Sequence, residues 1–429
     1  MRNLVQVLIL IAVLCLPVVT QTAAEMKTAG DAERAAVAAY RAKDHAEFLR
    51  QIEIANINRP NHSRLIYNQA IAYALNGHKN DAFNSLERLA KMGIGLAFDR
   101  NDDLEKLRDD ERFQSIMAAV AENLKPLNAS SRAFQLRDRS MIAESVAYDD
   151  RSNMFYVGSI HQRRIVNVDA RGVETEFSTV NDGLFAVLGM KVDSKRGVLW
   201  VATSSIPQMR GFKEADKGRS GIFKYDLRTR SLVKKYVVPA GEQHMLGDLW
   251  LDGSGNVYST DSVSPGIYRI DALKDAIEPF ITSDLFASLQ GITGGAKENT
   301  IYVADYAKGI FRIDIKSKAI TQVRPDVNVT LLGIDGLYFH RGSLIAIQNG
   351  IIPNRVAAFE IDGDRITSTK VLEANHPDFL EPTLGVISGD NFYFVANSQW
   401  PLVNEKAELQ IEKLRQPVIL KLNLKRFGL

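Results

Sequence analysis

Apolar and polar residues alternate through a phrase that the chain repeats. One copy is Ile301-Tyr-Val-Ala-Asp305-Tyr-Ala-Lys-Gly-Ile-Phe-Arg-Ile-Asp314, and another is Val257-Tyr-Ser-Thr-Asp261-Ser-Val-Ser-Pro-Gly-Ile-Tyr-Arg-Ile-Asp271. Each reads as a strand, a polar loop and a second strand ending in Asp. Looser copies run from Met154 to Asp169, Leu199 to Asp226, Leu344 to Asp362 and Phe392 to Asn423. A period of two over a few residues is that of a half-buried strand. Repeats of about 40–60 residues with several strands each specify a β-propeller. A further apolar strand opens each unit, at Ser145–Asp149, Met190–Asp193, Leu249–Asp252, Gly291–Thr293, Gly336–Phe339 and Gly385–Ile387. These openings predict six blades. The last unit runs out at Leu429 without an outer strand, and Phe134-Gln-Leu-Arg-Asp138 has the alternation to supply it. A strand from each end would close the ring and leave no free edge.

Ahead of the strands the apolar spacing changes to three and four, which predicts helices from about Asp31 to Pro126. Ala70 and Ala82 are small enough for two helices to approach, Tyr73 and Leu86 would fill the space beside them, and Gly77 would make the turn. This pattern resembles one tetratricopeptide hairpin. A degenerate hairpin is expected before it, from Ala35 to Ile54, and Leu104–Phe113 resembles the helices that cap such units. Pro126 and the small polar residues around it mark a linker. The expected division is a targeting segment over 1–24, a helical tetratricopeptide-like domain over 25–126, a linker over 127–133 and the six-bladed propeller over 134–429.

The first residues change the picture of where the protein works. Arg2 precedes an apolar run from Leu4 to Val19 that only Gln6 interrupts, and Thr20-Gln-Thr-Ala-Ala24 supplies small residues for cleavage. This pattern predicts a signal peptide, hence a periplasmic or secreted protein with no membrane span in the mature chain. Cys15 is the sole cysteine and lies inside that segment. The mature chain would therefore have no disulfide, cysteine nucleophile or zinc–thiolate site. Lys and Arg total 53 against 51 Asp and Glu. So balanced a chain offers no basic field for nucleic acid.

Blade geometry says where chemistry would collect. Residues just before each inner strand and just after each second strand share the face around the central channel. Before the inner strands stand Glu144, Leu188 or Gly189, Asp248, Gln290, Asp335 and Leu384; after the second strands stand His161, Ser204 or Ser205, Asp261, Asp305, Gln348 or Asn349, and Asn397 or Ser398. Carboxylate and amide oxygens converging there would suit a hard cation such as calcium. For Asp261 and Asp305 the alternative of turn capping stays open. For Asp169, Asp226, Asp271, Asp314 and Asp362, at the far strand ends, turn capping is the reading taken. His161 could move protons or sit as an ordinary loop side chain, and the same holds for His244. The chain has no Gly-x-Ser-x-Gly elbow, His-Glu-x-x-His pair, phosphate loop or dinucleotide fingerprint.

Glu144–Asp149, Gly247–Asp252, Leu289–Ile292, Tyr302–Tyr306 and Ile334–Leu337 carry a resemblance to the gluconolactonase, regucalcin and senescence-marker-protein propellers. It covers about Ala133 to Leu424. The resemblance implies metal-dependent lactone hydrolysis at a central divalent ion. It implies that Glu144 and Asp335 are metal ligands and that Asp335 is the catalytic base. Gln290 stands where the family has Asn, and Gly247 stands at the other Asn position with Asp248 beside it. The implied metal set is Glu144, Gln290, Asp335 and Asp248, with His161, Asp261, Asp305, Asn349 and Asn397 around the substrate.

Two functions stay open at this level. One is an exported hydrolase of lactones or related esters that uses a divalent metal, calcium by expectation. The other is a non-catalytic propeller that binds a small molecule or partner protein, with the helical domain as the interaction module. Two long insertions, Ile206–Ser220 and Trp400–Arg415, are expected on the functional face, either as lids or packed against the helical domain. The second has the helical spacing of Leu409, Ile411 and Leu414.

Overall fold

A computed structural model describes residues 23–239 and 241–429. The expected targeting segment falls outside these residues up to position 22. No helix among the described residues is long and apolar enough to cross a membrane.

Five α-helices come first: α1 (Ala23–Arg41), α2 (His45–Asn58), α3 (Ser63–Leu75), α4 (Lys79–Lys91) and α5 (Glu111–Asn123). Aspartates cap two of them. Asp44 accepts from the Glu47 N–H at the head of α2, and Asp110 accepts from Arg112 at the head of α5, each satisfying a donor the helix leaves open. The α3–α4 hairpin packs as its sequence predicts. Ala70, Ala82 and Leu86 are fully buried, and Gly77 turns the chain at φ +80°, where a side chain would be strained. The earlier hairpin, α1–α2, is also present. The run Leu104–Phe113 is different from its expectation: a 3-10 turn (Asp102–Leu107) stops there, and α5 begins only after Asp110 caps it.

Six sheets follow among the described residues, in ring order. Their inner strands are Ala143–Asp149, Ala186–Asp193, Leu246–Leu251, Leu289–Gly294, Ile334–His340 and Gly385–Ser388, for blades 1 to 6. Blade 6 takes its outer strand from the opposite end of the propeller. Ser131–Gln135 pairs antiparallel with Val418–Asn423 and closes the ring. That strand begins three residues ahead of the expected domain start at 134. The core lies between blades. Tyr258 and Trp250 of blade 3, for example, share a cluster with Ile301, Val303 and Phe311 of blade 4.

The register of the inner strands positions the site. In each of blades 1 to 5 the pairing slips where the inner strand begins: at Ala143/Ser145, Val187/Met190, Leu246/Leu249, Leu289/Ile292 and Ile334/Gly336. A bulge leaves residues without a ladder partner and turns their side chains aside. The bulged residues are Glu144, Leu188–Gly189, Gly247–Asp248, Gln290–Gly291 and Asp335. Strands approach one another closely there. A Cβ on Gly189 would strike the Gly247 carbonyl, and one on Gly291 would strike the backbone of Asp335 to Leu337.

The helical domain sits on the same face, over blades 4 and 5. Ile351 of the propeller joins the helical core. The Gly95 N–H donates to the Ile352 carbonyl at 2.7 Å. Arg355, 2% exposed, donates to the Met92 carbonyl at 3.0 Å and to Gln348 Oε1 at 2.7 Å. The two insertions pack against each other rather than against the helices. Ile206, Met209, Val403 and Leu414 share one cluster with Ile142, Ile160 and Leu188. Trp400–Arg415 is not a helix. Two 3-10 turns, Trp400–Leu402 and Ile411–Lys413, are joined by a bridge between Val403 and Leu409.

Candidate functional site

Bulged residues from five blades line one small cavity at the channel mouth, about 50 Å³ in volume. Glu144, Leu188, Asp248, Gln290 and Asp335 face it, with Leu384 and Trp400 from blade 6 and its insertion. Met245, Gly247 and Ser262 of blade 3 complete the lining, and Trp400 is the one insertion residue in it.

Each acidic group there is held differently. Glu144 is 7% exposed. Its Oε2 accepts from Ser398 Oγ at 2.7 Å and from Trp400 Nε1 at 2.7 Å. Both donors land on one oxygen, which leaves Oε1 for the cavity. Burial pushes the carboxyl well above its usual range and the charge of Asp335 adds to this, while Trp400 and Ser398 pull it back. Asp335 Oδ2 accepts from Asn349 Nδ2 at 2.8 Å. Burial and the neighbouring Glu381 push Asp335 up to about 7. Asn349 in turn accepts from the Tyr306 hydroxyl at 3.0 Å and donates to the Pro382 carbonyl. Gln290 Nε2 donates to Ser288 Oγ at 3.1 Å, which turns its amide oxygen free of that contact.

Asp248 lines the cavity but its oxygens are engaged. It accepts from the Leu249 and Ile292 N–H groups, and Lys191 Nζ lies 3.4 Å from it. Lys191 also sits over the Tyr338 ring, 4.9 Å from its centre. It is the cation beside this set of carboxyls.

Four expected pocket residues stand elsewhere. Asp261 accepts from Met245, Val263 and Ser264 N–H groups and meets His244 Nδ1 at 2.6 Å. Asp305 accepts four backbone N–H bonds, from Ala287, Ser288, Ala307 and Lys308. Asn397 spans Gln416 O and the Val418 N–H. His161 Nδ1 meets the Gln208 carbonyl at 3.0 Å. All four brace loops beneath the mouth, and none lines the cavity. Their polar atoms were needed by backbone groups that leave the second strands unpaired.

Glu381, Trp400 and Lys191 complete the site, and the sequence reading did not single them out as site residues. Glu381 Oε2 is buried without a hydrogen-bond partner, and burial pushes its carboxyl up to about 7. Its backbone is left-handed (φ +65°), as is that of Gln399 (φ +66°) next to Trp400. Left-handed non-glycine residues cost about 1 kcal/mol or more each and gather at functional sites. Lys191 had one signal, a charge between the apolar Met190 and Val192 in the inner strand of blade 2.

The donor chemistry fits a hard cation: two carboxylates and an amide oxygen on one cavity. No three His, Cys, Asp or Glu side chains among the described residues are grouped to hold a metal ion. A cation here would therefore rest on Glu144, Asp335 and the Gln290 amide, with water completing its shell.

No family model matches the chain, and no curated protein matches it. Among solved structures it is similar to a gluconolactonase from Xanthomonas campestris, with 14% identity over 67% of this chain and 88% of that one and a TM-score of 0.46. It is also similar to a calcium-binding regucalcin from Agrobacterium tumefaciens, with 14% identity over 68% of this chain and 93% of that one and a TM-score of 0.47. A third is a virginiamycin B lyase from Staphylococcus aureus, with 14% identity over 70% and 98% and a TM-score of 0.45. The chain is a six-bladed β-propeller with a helical domain before it, the architecture the resemblance implied.

Proposed function

We propose that this protein is an exported hydrolase of lactones or related esters that works with a divalent cation, calcium by choice of donors. One observation supports the reading above others. Glu144, Gln290 and Asp335 converge from three blades on one cavity, and burial leaves both carboxyls short of positive charge. Glu144 Oε1, Asp335 and the Gln290 amide oxygen would hold the ion. A bound divalent cation supplies polarisation of a carbonyl and a lowered pKa for water. Asp335 would take the proton at Oδ1, since Asn349 occupies Oδ2. A carboxylate oxygen placed beside the ion is positioned to act as general base toward water. Trp400 would orient Glu144 and cover the mouth.

The test is a calcium titration by calorimetry together with a lactone screen, on wild type, Asp335→Asn and Glu144→Gln. Expected is binding in wild type that both variants lose, with hydrolysis that needs the ion. A wild type that binds no divalent ion, or hydrolysis surviving Asp335→Asn, overturns the reading.

A second reading is a propeller that binds a small molecule or partner protein without turnover. One observation favours it: Trp400, Ser398 and Lys191 already satisfy Glu144 and Asp248 from within the protein. In this case the helical hairpins would present a groove to a peptide. A ligand held at the mouth and recovered unchanged would select it.

A further inference from the structure

Gln348 ends the second strand of blade 5 and Arg355 begins the third. The chain between them reaches the channel mouth at one end and the helical domain along the rest. Asn349 holds Asp335 at 2.8 Å. Two residues on, Ile351 is buried in the core of the helical domain. The Ile352 carbonyl accepts the Gly95 N–H at 2.7 Å. Asn354 Nδ2 donates to the carbonyls of both Asn349 and Ile351, at 2.9 and 3.0 Å, and makes one braced piece of the stretch. No residue of the helical domain lines the mouth cavity itself.

The Asn349 amide is fully used and fits only one way round. Its Nδ2 faces the Asp335 carboxylate and the Pro382 carbonyl, at 2.8 and 3.0 Å, and both of these are acceptors. Its Oδ1 accepts from the Tyr306 hydroxyl at 3.0 Å, which is the proton donor of the three neighbours. Tyr306 thus sets the sense of the amide. Pro382 follows the left-handed Glu381, so the same amide also fixes the backbone beside a second buried carboxyl.

Tyr306 is placed by backbone on three sides. Its N–H donates to the Ser288 carbonyl, and its own carbonyl accepts from Gly333, each at 2.9 Å. Gly350 passes so close that a Cβ there would lie 2.6 Å from the phenol oxygen. Gly350 belongs to the stretch that Ile351 anchors in the helices. A shift of that stretch therefore moves both partners of the Tyr306–Asn349 pair.

We propose that Tyr306 and Asn349 are positioning residues for Asp335 and that the docked helical domain holds them in register. The helical domain then sets the mouth without touching it. This rests on the reading of Asp335 as metal ligand and base. The coupling is reciprocal, as any coupling between binding and docking must be.

The test follows the Asn349 side-chain NH2 pair by NMR in the metal-free full chain, assigned with Asn349→Asp, and titrates calcium by calorimetry in parallel. The variants are Tyr306→Phe, Ile351→Ala and the conservative Ile351→Val. Expected is slow hydrogen exchange of the pair in wild type and Ile351→Val, and exchange about tenfold faster or more in Tyr306→Phe and Ile351→Ala, as the loss of a hydrogen bond gives. Calcium affinity should fall by about fivefold or more in the same two variants, although Ile351 lies outside the cavity. Should Ile351→Ala fail to fold, Gly95→Ala replaces it, since a Cβ there crowds Leu124 and Pro353 across the same seam. A wild type that binds no calcium removes the metal reading alone, because the exchange comparison still decides the positioning. Exchange as slow as wild type in Tyr306→Phe, or in the variant that disturbs docking, overturns the proposal.

Discussion

The Trp400 indole N–H donates to Glu144 Oε2 at 2.7 Å across 256 positions of sequence. It ties the blade 6 insertion to the first bulge of blade 1. Ser398 adds a second donor to the same oxygen. A buried carboxylate with two donors on one atom has its other oxygen fixed in direction, which a ligand for a cation or substrate requires.

Trp400→Phe keeps the ring and removes the donor. A hydrogen bond to a charged group contributes about 1.5–3 kcal/mol. Calcium affinity at neutral pH should therefore fall by about tenfold or more. Affinity measured by calorimetry checks this. An unchanged or tighter constant would mean that Trp400 covers the mouth without positioning Glu144.

The buried carboxyls set a pH dependence for the metal-free protein. Asp335 titrates near 7 against an ordinary 3.8, and Glu381 near 7 against 4.5. Across this window the folded protein keeps protons that the unfolded chain has released, so stability falls as pH rises and is whole below the lower values. The melting temperature of the chelated protein should drop between about pH 4 and 7 and level off above. Asp335→Asn and Glu381→Gln should each flatten the drop, by an amount of the order of 2–4 kcal/mol. A wild-type melting curve level over this range would refute the shifts.

Glu144, Gln290 and Asp335 were within reach of the sequence because each stands at the same point of a repeated unit, the second residue of an inner strand. A bulge recurs there in blades 1 to 5, so one geometric rule serves them all. Asp261 and Asp305 also stand at a repeated point, but repetition does not say which way a carboxylate turns. Loop N–H groups two and three residues on captured them, as Asx turns do. The signal was present in the residues that follow each Asp, and it competed with the channel reading. Glu381 and Trp400 lay beyond reach. Their placement depends on left-handed backbone at 381 and 399 and on packing between two distant insertions, neither of which has a local pattern.

Arg355 joins the two domains through a buried guanidinium, pulled down to about 10 by burial. Its contacts are Gln348 and the Met92 carbonyl, and Gly93 lies against it. Arg355→Met should cost about 2–4 kcal/mol, since it leaves a buried carbonyl and an amide oxygen open. Calorimetry should then resolve two unfolding transitions, and protease should cut near residues 125–131. A single transition at the wild-type temperature would show that the apolar contact around Ile351 suffices alone.

Asp305 tests the division between bracing and site residues. It is fully buried, and its two oxygens each serve two backbone N–H groups, at 2.6 to 3.0 Å. Asp305→Ala opens all four donors and should lower stability by about 3–5 kcal/mol. Asp305→Asn keeps one acceptor oxygen for two of them and should fall between. Neither change reaches the cavity, so the folded fraction of each variant should bind calcium within about twofold of wild type, less than half a kcal/mol. Asp335→Asn should do the reverse, removing the metal with little loss of stability once its buried charge is gone. Urea melts and calcium titrations on the three proteins separate the cases. An Asp305→Asn protein that melts normally yet fails to bind the ion would move Asp305 into the site and return the channel reading of its position.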